Sequence, residues 1–284
     1  MSGSMDETHI AERTVKLSGG QEMPLVGLGT SPMDDATTER VVQEALELGY
    51  RLLDTAENYR NEEGVGRGLR ASGVNREDVF VTTKFNVEWH GRDLARQACL
   101  NSLERLGLDY LDQLLIHWPN PGVDNYVDAW RGLLQLREEG IVRSVGVSNF
   151  KVSHLLRLQD ETGELPEVNQ IQLSPYIQRK EQTAFGKEEG VVSVAWSPIG
   201  KGGDLLQEPA VNRIADDLER TPAQVVLRWH LEHGHVVIPK TSRRERLSEN
   251  LDLFGFQLGP DHLAELDALD QGDTGAADSD EFGH

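Results

Sequence analysis

The chain has a single cysteine, Cys99, among 284 residues. No internal disulfide can form, and a lone thiol fits a reducing compartment. Between Ala98 and Leu100 on a predicted helix it reads as a small buried hydrophobe, not a nucleophile. No apolar stretch approaches the roughly 20 residues that span a bilayer. The N-terminus, Met1-Ser2-Gly3-Ser4-Met5-Asp6-Glu7, lacks a basic start and an apolar core, so no secretory signal is expected and a cytoplasmic location is. Lysine is scarce, confined to Lys16, Lys84, Lys151, Lys180, Lys187, Lys201 and Lys240. With 48 acidic against 28 basic residues the net charge is −20, a sign that argues against nucleic acid and anionic membranes as partners. Much acid with little lysine is the composition expected of a halophilic protein, because molar salt shortens the Debye length to about 3 Å and screens self-repulsion. An ordinary acidic mesophilic enzyme is the alternative.

Two signatures are also missing. Gly27-Leu28-Gly29-Thr30-Ser31-Pro32 and Gly64-Val65-Gly66-Arg67-Gly68-Leu69 both fail the G-x-G-x-x-G dinucleotide fingerprint, and read as turn and helix-packing glycines. No histidine has metal-ligand spacing to cysteine or acidic residues. His233 and His235 stand close together, but i and i+2 on a strand share a face for packing as readily as for ligation. No metal is expected.

What is present is alternation. Thr14 to Leu17 and Met23 to Val26, joined through Ser18-Gly19-Gly20, form a predicted hairpin. Strand-like runs follow at Val26–Gly29, Arg51–Asp54, Val79–Lys84, Leu111–His117, Ser144–Ser148, Val168–Leu173, Val191–Trp196 and Val236–Pro239. Helical patterns lie between them at Thr38–Leu48, Glu63–Ala71, Arg92–Leu106, Tyr126–Glu139, Val152–Asp160 and Pro222–Glu232. Such alternation implies parallel βα units, either a (β/α)8 TIM barrel or a doubly wound sheet. No Gly-rich linker divides the chain, so one domain is expected over residues 1–284, ending in an acidic tail at 272–284.

Polar residues placed just past the apolar runs favour the barrel. Asp54, Lys84 and His117 each end such a run, and Tyr59 lies five residues beyond Asp54. In a parallel barrel those strand ends share one rim, where such folds place their chemistry. The residue types fit a proton transfer: a phenol to give the proton, a cation to make it acidic, a carboxylate to hold the cation, and an imidazole to orient a carbonyl. A structural ion pair and a surface tyrosine are the duller readings of each residue alone.

These residues lie within Leu53-Asp54-Thr55-Ala56-Glu57-Asn58-Tyr59-Arg60-Asn61-Glu62, Thr82-Thr83-Lys84 and Leu115-Ile116-His117-Trp118-Pro119. The segments resemble the signature stretches of the aldo-keto reductases, in the same order. The likeness runs on through Gly146-Val147-Ser148-Asn149-Phe150, Asn169-Gln170 and Ile238-Pro239-Lys240, and it is nearest to short prokaryotic members of the 2,5-diketo-gluconic acid reductase type. It implies a (β/α)8 barrel whose N-terminal hairpin closes the bottom. The implied activity is NADPH-dependent reduction of aldehydes or ketones, keto-sugar acids included, with Tyr59 as general acid assisted by Lys84, Asp54 and His117.

The cofactor carry-over assigns Ser148, Asn149 and Gln170 to the carboxamide, and Trp196 to the nicotinamide face where the family usually has Tyr. Ser197, Pro198, Ile199 and Gly200 fall at the pyrophosphate, and Lys240, Thr241, Ser242 and Arg246 at the 2′-phosphate. Glu249 and Asn250 fall at the adenine. A guanidinium fork favours NADPH, with NADH also admitted. Trp118 and Trp89, with His117, are expected around the substrate. Ser31-Pro32-Met33 replaces an aromatic, and Ser174 replaces a frequent His, which implies a pocket more open toward polar or sugar-like carbonyls. By the same resemblance the acidic tail lies near the mouth, although it lacks the basic residue often found there, and the protein is a monomer. Two alternatives stay open: an oxidative sugar or polyol dehydrogenase, and a non-catalytic NADPH-binding regulatory subunit.

Overall fold

Glycine at 20, with φ of 97°, turns the chain between two short strands. The pair, β1 (Thr14–Lys16) and β2 (Glu22–Pro24), is antiparallel, with Val15 opposite Met23. The structure, a computed structural model, describes residues 13–200 and 203–283. The expectations for Met1 to Glu7, and the residues His9, Lys201 and His284, lie outside that range.

The remaining strands are β3 (Leu28–Gly29), β4 (Leu52–Asp54), β5 (Phe80–Phe85), β6 (Leu111–Ile116), β7 (Val142–Ser148), β8 (Val168–Gln172), β9 (Val192–Trp196) and β10 (Val236–Val237). All eight pair in parallel in chain order. The first and last then meet. Val26 bridges Val237, Gly27 N–H donates to the Val237 carbonyl at 2.8 Å, and Gly29 N–H donates to that of Pro239 at 3.2 Å. A Cβ on Gly29 would lie 2.6 Å from the Ile238 carbonyl, so the seam closes only where a side chain is absent. The sequence-based choice between barrel and doubly wound sheet thus resolves to the barrel.

Side chains alternate along each strand, and parity decides which face the barrel interior. Leu52, Phe80, Leu115, Val168, Val194 and Val236 point inward and pack with Leu17 and Met23 of the hairpin, which therefore plugs the N-terminal end. Their outward neighbours Leu53, Val81, Leu114, Val145, Ala195 and Val237 join the helix-facing core. Midway up the interior sits a polar tier. Thr82 donates to Gln113 at 3.4 Å, and Gln113 donates to Ser144 at 3.1 Å. Continuing the same parity upward reaches Asp54, Lys84, His117, Ser148, Gln170 and Trp196.

The helices are α1 (Asp35–Glu47), α2 (Glu62–Ser72), α3 (Arg92–Leu106), α4 (Tyr126–Glu138), α5 (Val152–Thr162), α6 (Lys180–Glu189), α7 (Pro209–Leu218), α8 (Pro222–Glu232), α9 (Arg244–Leu251) and α10 (Pro260–Asp267). Helix α1 begins three residues before the expected Thr38, because the Asp34 side chain accepts from Thr37 N–H at 2.8 Å and caps it. Helices α6, α7, α9 and α10 were not anticipated.

The glycines of α2 are packing glycines. A Cβ on Gly64 would run into the Asp35 carbonyl, one on Gly66 into that of Leu106, and one on Gly68 into that of Glu39. Gly66→Ala is therefore expected to lower unfolding free energy by about 1–3 kcal/mol, read as a shift in denaturant midpoint at unchanged slope.

Candidate active site

Asp54 ends β4, and Lys84 is the penultimate residue of β5. The pairing of Asp54 with Thr82 sets Lys84 two residues further toward the rim on the neighbouring strand. Its ammonium, wholly buried, lies 2.7 Å from Asp54 Oδ1 and donates to the Thr55 carbonyl at 2.8 Å. The second carboxylate oxygen of Asp54 accepts from Gln170 Nε2 at 2.7 Å. Both charges thus have hydrogen-bond partners besides each other, as a buried pair requires.

Tyr59 is not on a strand. It closes a 3₁₀ turn, Glu57–Tyr59, which Arg60 ends in the left-handed region at φ of 56°. Fully buried Asn61 fixes the exit from that turn. It accepts from Thr55 Oγ1 at 2.8 Å and donates to the carbonyls of Thr30 and Met33 at 3.0 and 3.1 Å. Behind the turn, Glu62 accepts from Thr83 and from Arg105, both at 2.6 Å. The Tyr59 ring then stands 5.1 Å from Lys84 Nζ and meets His117 edge-on at 5.8 Å. The four residues that the sequence singled out do converge.

Electrostatics favour a protonated phenol. Burial raises the Tyr59 hydroxyl above the usual value near 10, Lys84 pulls it down, and Asp54 adds to the rise. The net direction is upward, so the acidifying effect expected of Lys84 is outweighed by desolvation. For Lys84 itself burial pulls the ammonium down, but Asp54 and then Tyr59 carry it above the ordinary range. The resting site therefore holds a proton on the phenol and a positive charge beside it.

His117 follows β6, its N–H donating to the Phe85 carbonyl at 3.0 Å. Its Nδ1 lies 3.0 Å from Asn86 Oδ1. Asn86 was missed in the sequence, although 82, 84 and 86 share the inward parity of β5 and its loop. That parity was the available signal.

Asp54, Tyr59 and His117 line a cavity of about 740 Å³ at the C-terminal ends of the strands; Lys84 and Asn86 are not among its lining residues. Its lining includes Asp54, Tyr59, His117, Trp118, Ser148, Gln170, Trp196, Ser197, Pro198 and Ile199, then Lys240 and Arg246 at the other end. Ser31 and Pro32 line it as well, where an aromatic was noted as missing. Phe282 of the tail packs on Trp118 at 5.0 Å and joins the wall. The tail is tied down: Lys151 pairs with Asp278 and Asp280, both at 2.5 Å, and Arg179 pairs with Asp273 at 3.0 Å.

Other expected contacts are arranged differently. Trp89 is not among the lining residues; it lies in the 3₁₀ turn Val87–Trp89 and packs against the helix-facing core. Asn149, at φ of 64°, has its amide engaged: Nδ2 donates to the His117 carbonyl and to Ser148 Oγ, both at 3.0 Å, and Oδ1 accepts from Trp196 Nε1 at 2.9 Å. Gly200, Thr241, Ser242, Glu249 and Asn250 lie outside the lining. Glu249 accepts instead from Thr221 at 2.6 Å, and Asn250 is buried on the inner side of α9. Among the described residues no group of His, Cys, Asp and Glu could hold a metal ion, and no helix is long and apolar enough to cross a membrane.

Comparison with known proteins gives one answer. The model of the Aldo/keto reductase family matches residues 24–271. A curated relative, methylglyoxal reductase DkgA of Escherichia coli, is 44% identical over 270 residues, covering 95% of this chain and 98% of that protein. An aldo-keto reductase of Mycolicibacterium vanbaalenii is 49% identical over 259 residues, covering 91% and 92%. Among solved structures, a Gox0644 variant in complex with NADPH superposes with a TM-score of 0.91 at 41% identity, covering 95% of this chain and 98% of that one. With its barrel, its strand-end cluster and these relatives, the chain belongs to the aldo/keto reductase family.

Proposed function

We propose that this protein reduces small aldehydes and ketones with NADPH, using Tyr59 as the proton donor. The observation that carries the reading is a protonated Tyr59 beside the buried Lys84–Asp54 pair, with Asp54, Tyr59 and His117 lining one cavity with Lys240 and Arg246.

The residues present fit the cofactor. Lys240 and Arg246 are exposed, and among the described residues neither makes an ion pair, whereas neighbouring Arg244 pairs with Glu47. In a chain of net charge −20, two uncompensated cations beside a cavity suit a phosphate. Gln170 has spent its nitrogen on Asp54 and keeps a carbonyl oxygen to accept from a carboxamide. Trp196, held by Asn149, offers a flat apolar face to the ring. When bound, a reduced nicotinamide supplies a hydride to the carbonyl carbon. Tyr59 gives its proton to the carbonyl oxygen, and Lys84 stabilises the phenolate left behind by opposite charge. Asp54 keeps Lys84 charged and in place, and His117 orients the oxygen and helps bear its developing charge.

Arg246→Ala is expected to weaken NADPH binding by roughly 10–100-fold, the loss of a charge-assisted contact of about 1.5–3 kcal/mol. NADH binding should change little. Titration of cofactor fluorescence checks both, and an equal loss for the two would remove Arg246 from the 2′-phosphate.

For substrate, methylglyoxal is the first to test, because it is named for the DkgA relative. Keto-sugar acids follow, on the small Ser31 and Pro32 at the wall. Work in a salt-rich cytoplasm belongs to the same reading, on the −20 charge and the single cysteine, and a monomer on the family alone. The test is NADPH consumption against a panel of aldehydes, ketones and keto-sugar acids in molar salt. Tight NADPH binding with no turnover on any carbonyl would count against it, leaving the oxidative or regulatory alternatives.

A further inference from the structure

The chain leaves β9 after Trp196 with Ser197 at φ of 51°. A residue with a side chain disfavours that left-handed conformation, so the surroundings must hold it. Pro198 follows, and it has no N–H with which to tie the loop. Its carbonyl is tied instead. His230 of α8, wholly buried, places Nε2 3.0 Å from that oxygen. A carbonyl oxygen only accepts, so Nε2 carries the hydrogen. Burial pushes the ring's pKa down to about 3, against the pull of the Pro198 carbonyl, so the ring is neutral and Nδ1 holds a lone pair. That second nitrogen is buried and has no hydrogen-bond partner among the described residues. An unpaired buried acceptor costs stability, and an apolar side chain would fill the place without that cost. The contact with Pro198 is what calls for an imidazole here.

We propose that His230 is a positioning residue for the cofactor, acting through the Pro198 carbonyl on the loop of Ser197, Pro198 and Ile199. Those three residues line the cavity beside Trp196, whereas His230 is not among its lining residues. The inference rests on the reading that this cavity holds NADPH. Lys240 and Arg246, which that reading gives to the 2′-phosphate, come from the chain after β10 and not from this loop. The loop therefore meets a part of the cofactor that NADPH and NADH share. Loosening it should weaken both to the same degree.

The test is a fluorescence titration of NADPH and of NADH with the full-length wild type, His230→Leu, His230→Gln and Arg246→Ala. His230→Leu is expected to weaken both cofactors by roughly 3–10-fold, the loss of one hydrogen bond. His230→Gln, whose amide can donate to the same carbonyl, should recover most of that loss. A folded His230→Leu protein that binds both cofactors as the wild type does would overturn the proposal, and so would a loss confined to NADPH. Arg246→Ala separates the two readings. Weaker NADPH there, with none of the expected change in His230→Leu, overturns the role of His230 alone. Wild-type affinity in both variants would count against the cavity as the cofactor's place, and the role of His230 would fall with it. A second measurement needs no variant: a two-bond proton–nitrogen correlation spectrum of wild-type protein with nitrogen-15 in its histidines, assigned through the backbone. His230 should be neutral with its hydrogen on Nε2, and its signals should move when NADP⁺ is added to saturation. A ring protonated on Nδ1, or signals that NADP⁺ leaves in place, would overturn the proposal.

Discussion

Replacing Tyr59 with Phe is expected to lower carbonyl-dependent NADPH oxidation by roughly 10²–10⁴-fold, the usual contribution of a positioned general acid. The change removes one hydroxyl and keeps the ring, so the turn Glu57–Tyr59 and the edge contact with His117 should persist. Cofactor binding should be nearly unchanged, because Lys240, Arg246, Gln170 and Trp196 are untouched. The proton is present to be given: burial raises the phenol above its ordinary value, so at neutral pH Tyr59 stays protonated. Lys84 matters most in the transition state, where the departing proton leaves a negative oxygen beside a buried ammonium. Steady-state rates with NADPH binding measured in parallel check the prediction. Retained turnover in the variant would assign the proton to another group.

Lys84→Met should cost activity to a comparable degree and stability as well. The ammonium is wholly buried 2.7 Å from Asp54, so its removal leaves that carboxylate inside the barrel with Gln170 as its remaining side-chain donor. Breaking a buried pair from one side costs about 3–5 kcal/mol, most of it the penalty of the stranded charge. Adding Asp54→Asn to Lys84→Met should therefore recover much of the stability and none of the activity. Denaturant midpoints and turnover of the two single variants and the double separate these effects. Additive losses would mean that the two charges do not depend on one another.

The barrel was legible because the chain repeats one physical pattern: an apolar run, a polar residue of inward parity at its end, then an amphipathic helix. Asp54, Lys84, His117 and Ser148 obey it, and strand pairing carries them to one rim with Gln170 and Trp196, which share their inward parity. Helix α6 was not legible, since Lys180-Glu181-Gln182-Thr183-Ala184-Phe185-Gly186-Lys187-Glu188-Glu189 has little apolar periodicity and fully buries only Gly186. Helix α1 began earlier than its apolar pattern because a cap, not a hydrophobe, starts it. In the site, Tyr59 was found by motif, but the reason it reaches Lys84 lies in Asn61, whose partners Thr30 and Met33 come from the loop after β3. Asn86 carries no charge and no motif of its own, so only its parity could have marked it. Trp89 and Glu249 show the reverse: side-chain chemistry suited a ligand role, while tertiary contacts turned them to the core and to Thr221. The acidic tail reads as frayed from composition, and Lys151 and Arg179, far away in sequence, hold it beside the cavity.

The fate of a deuterium label tests the proposed chemistry most directly. NADPH deuterated at its transferable position is mixed with the protein and methylglyoxal in molar salt, and the alcohol product is examined by mass and by NMR. Reduction in this cavity predicts one deuterium on the carbinol carbon for each NADPH consumed, and no transfer in Tyr59→Phe beyond its residual rate. NADPH bound with the label retained, or label transferred equally well without the Tyr59 hydroxyl, would contradict it.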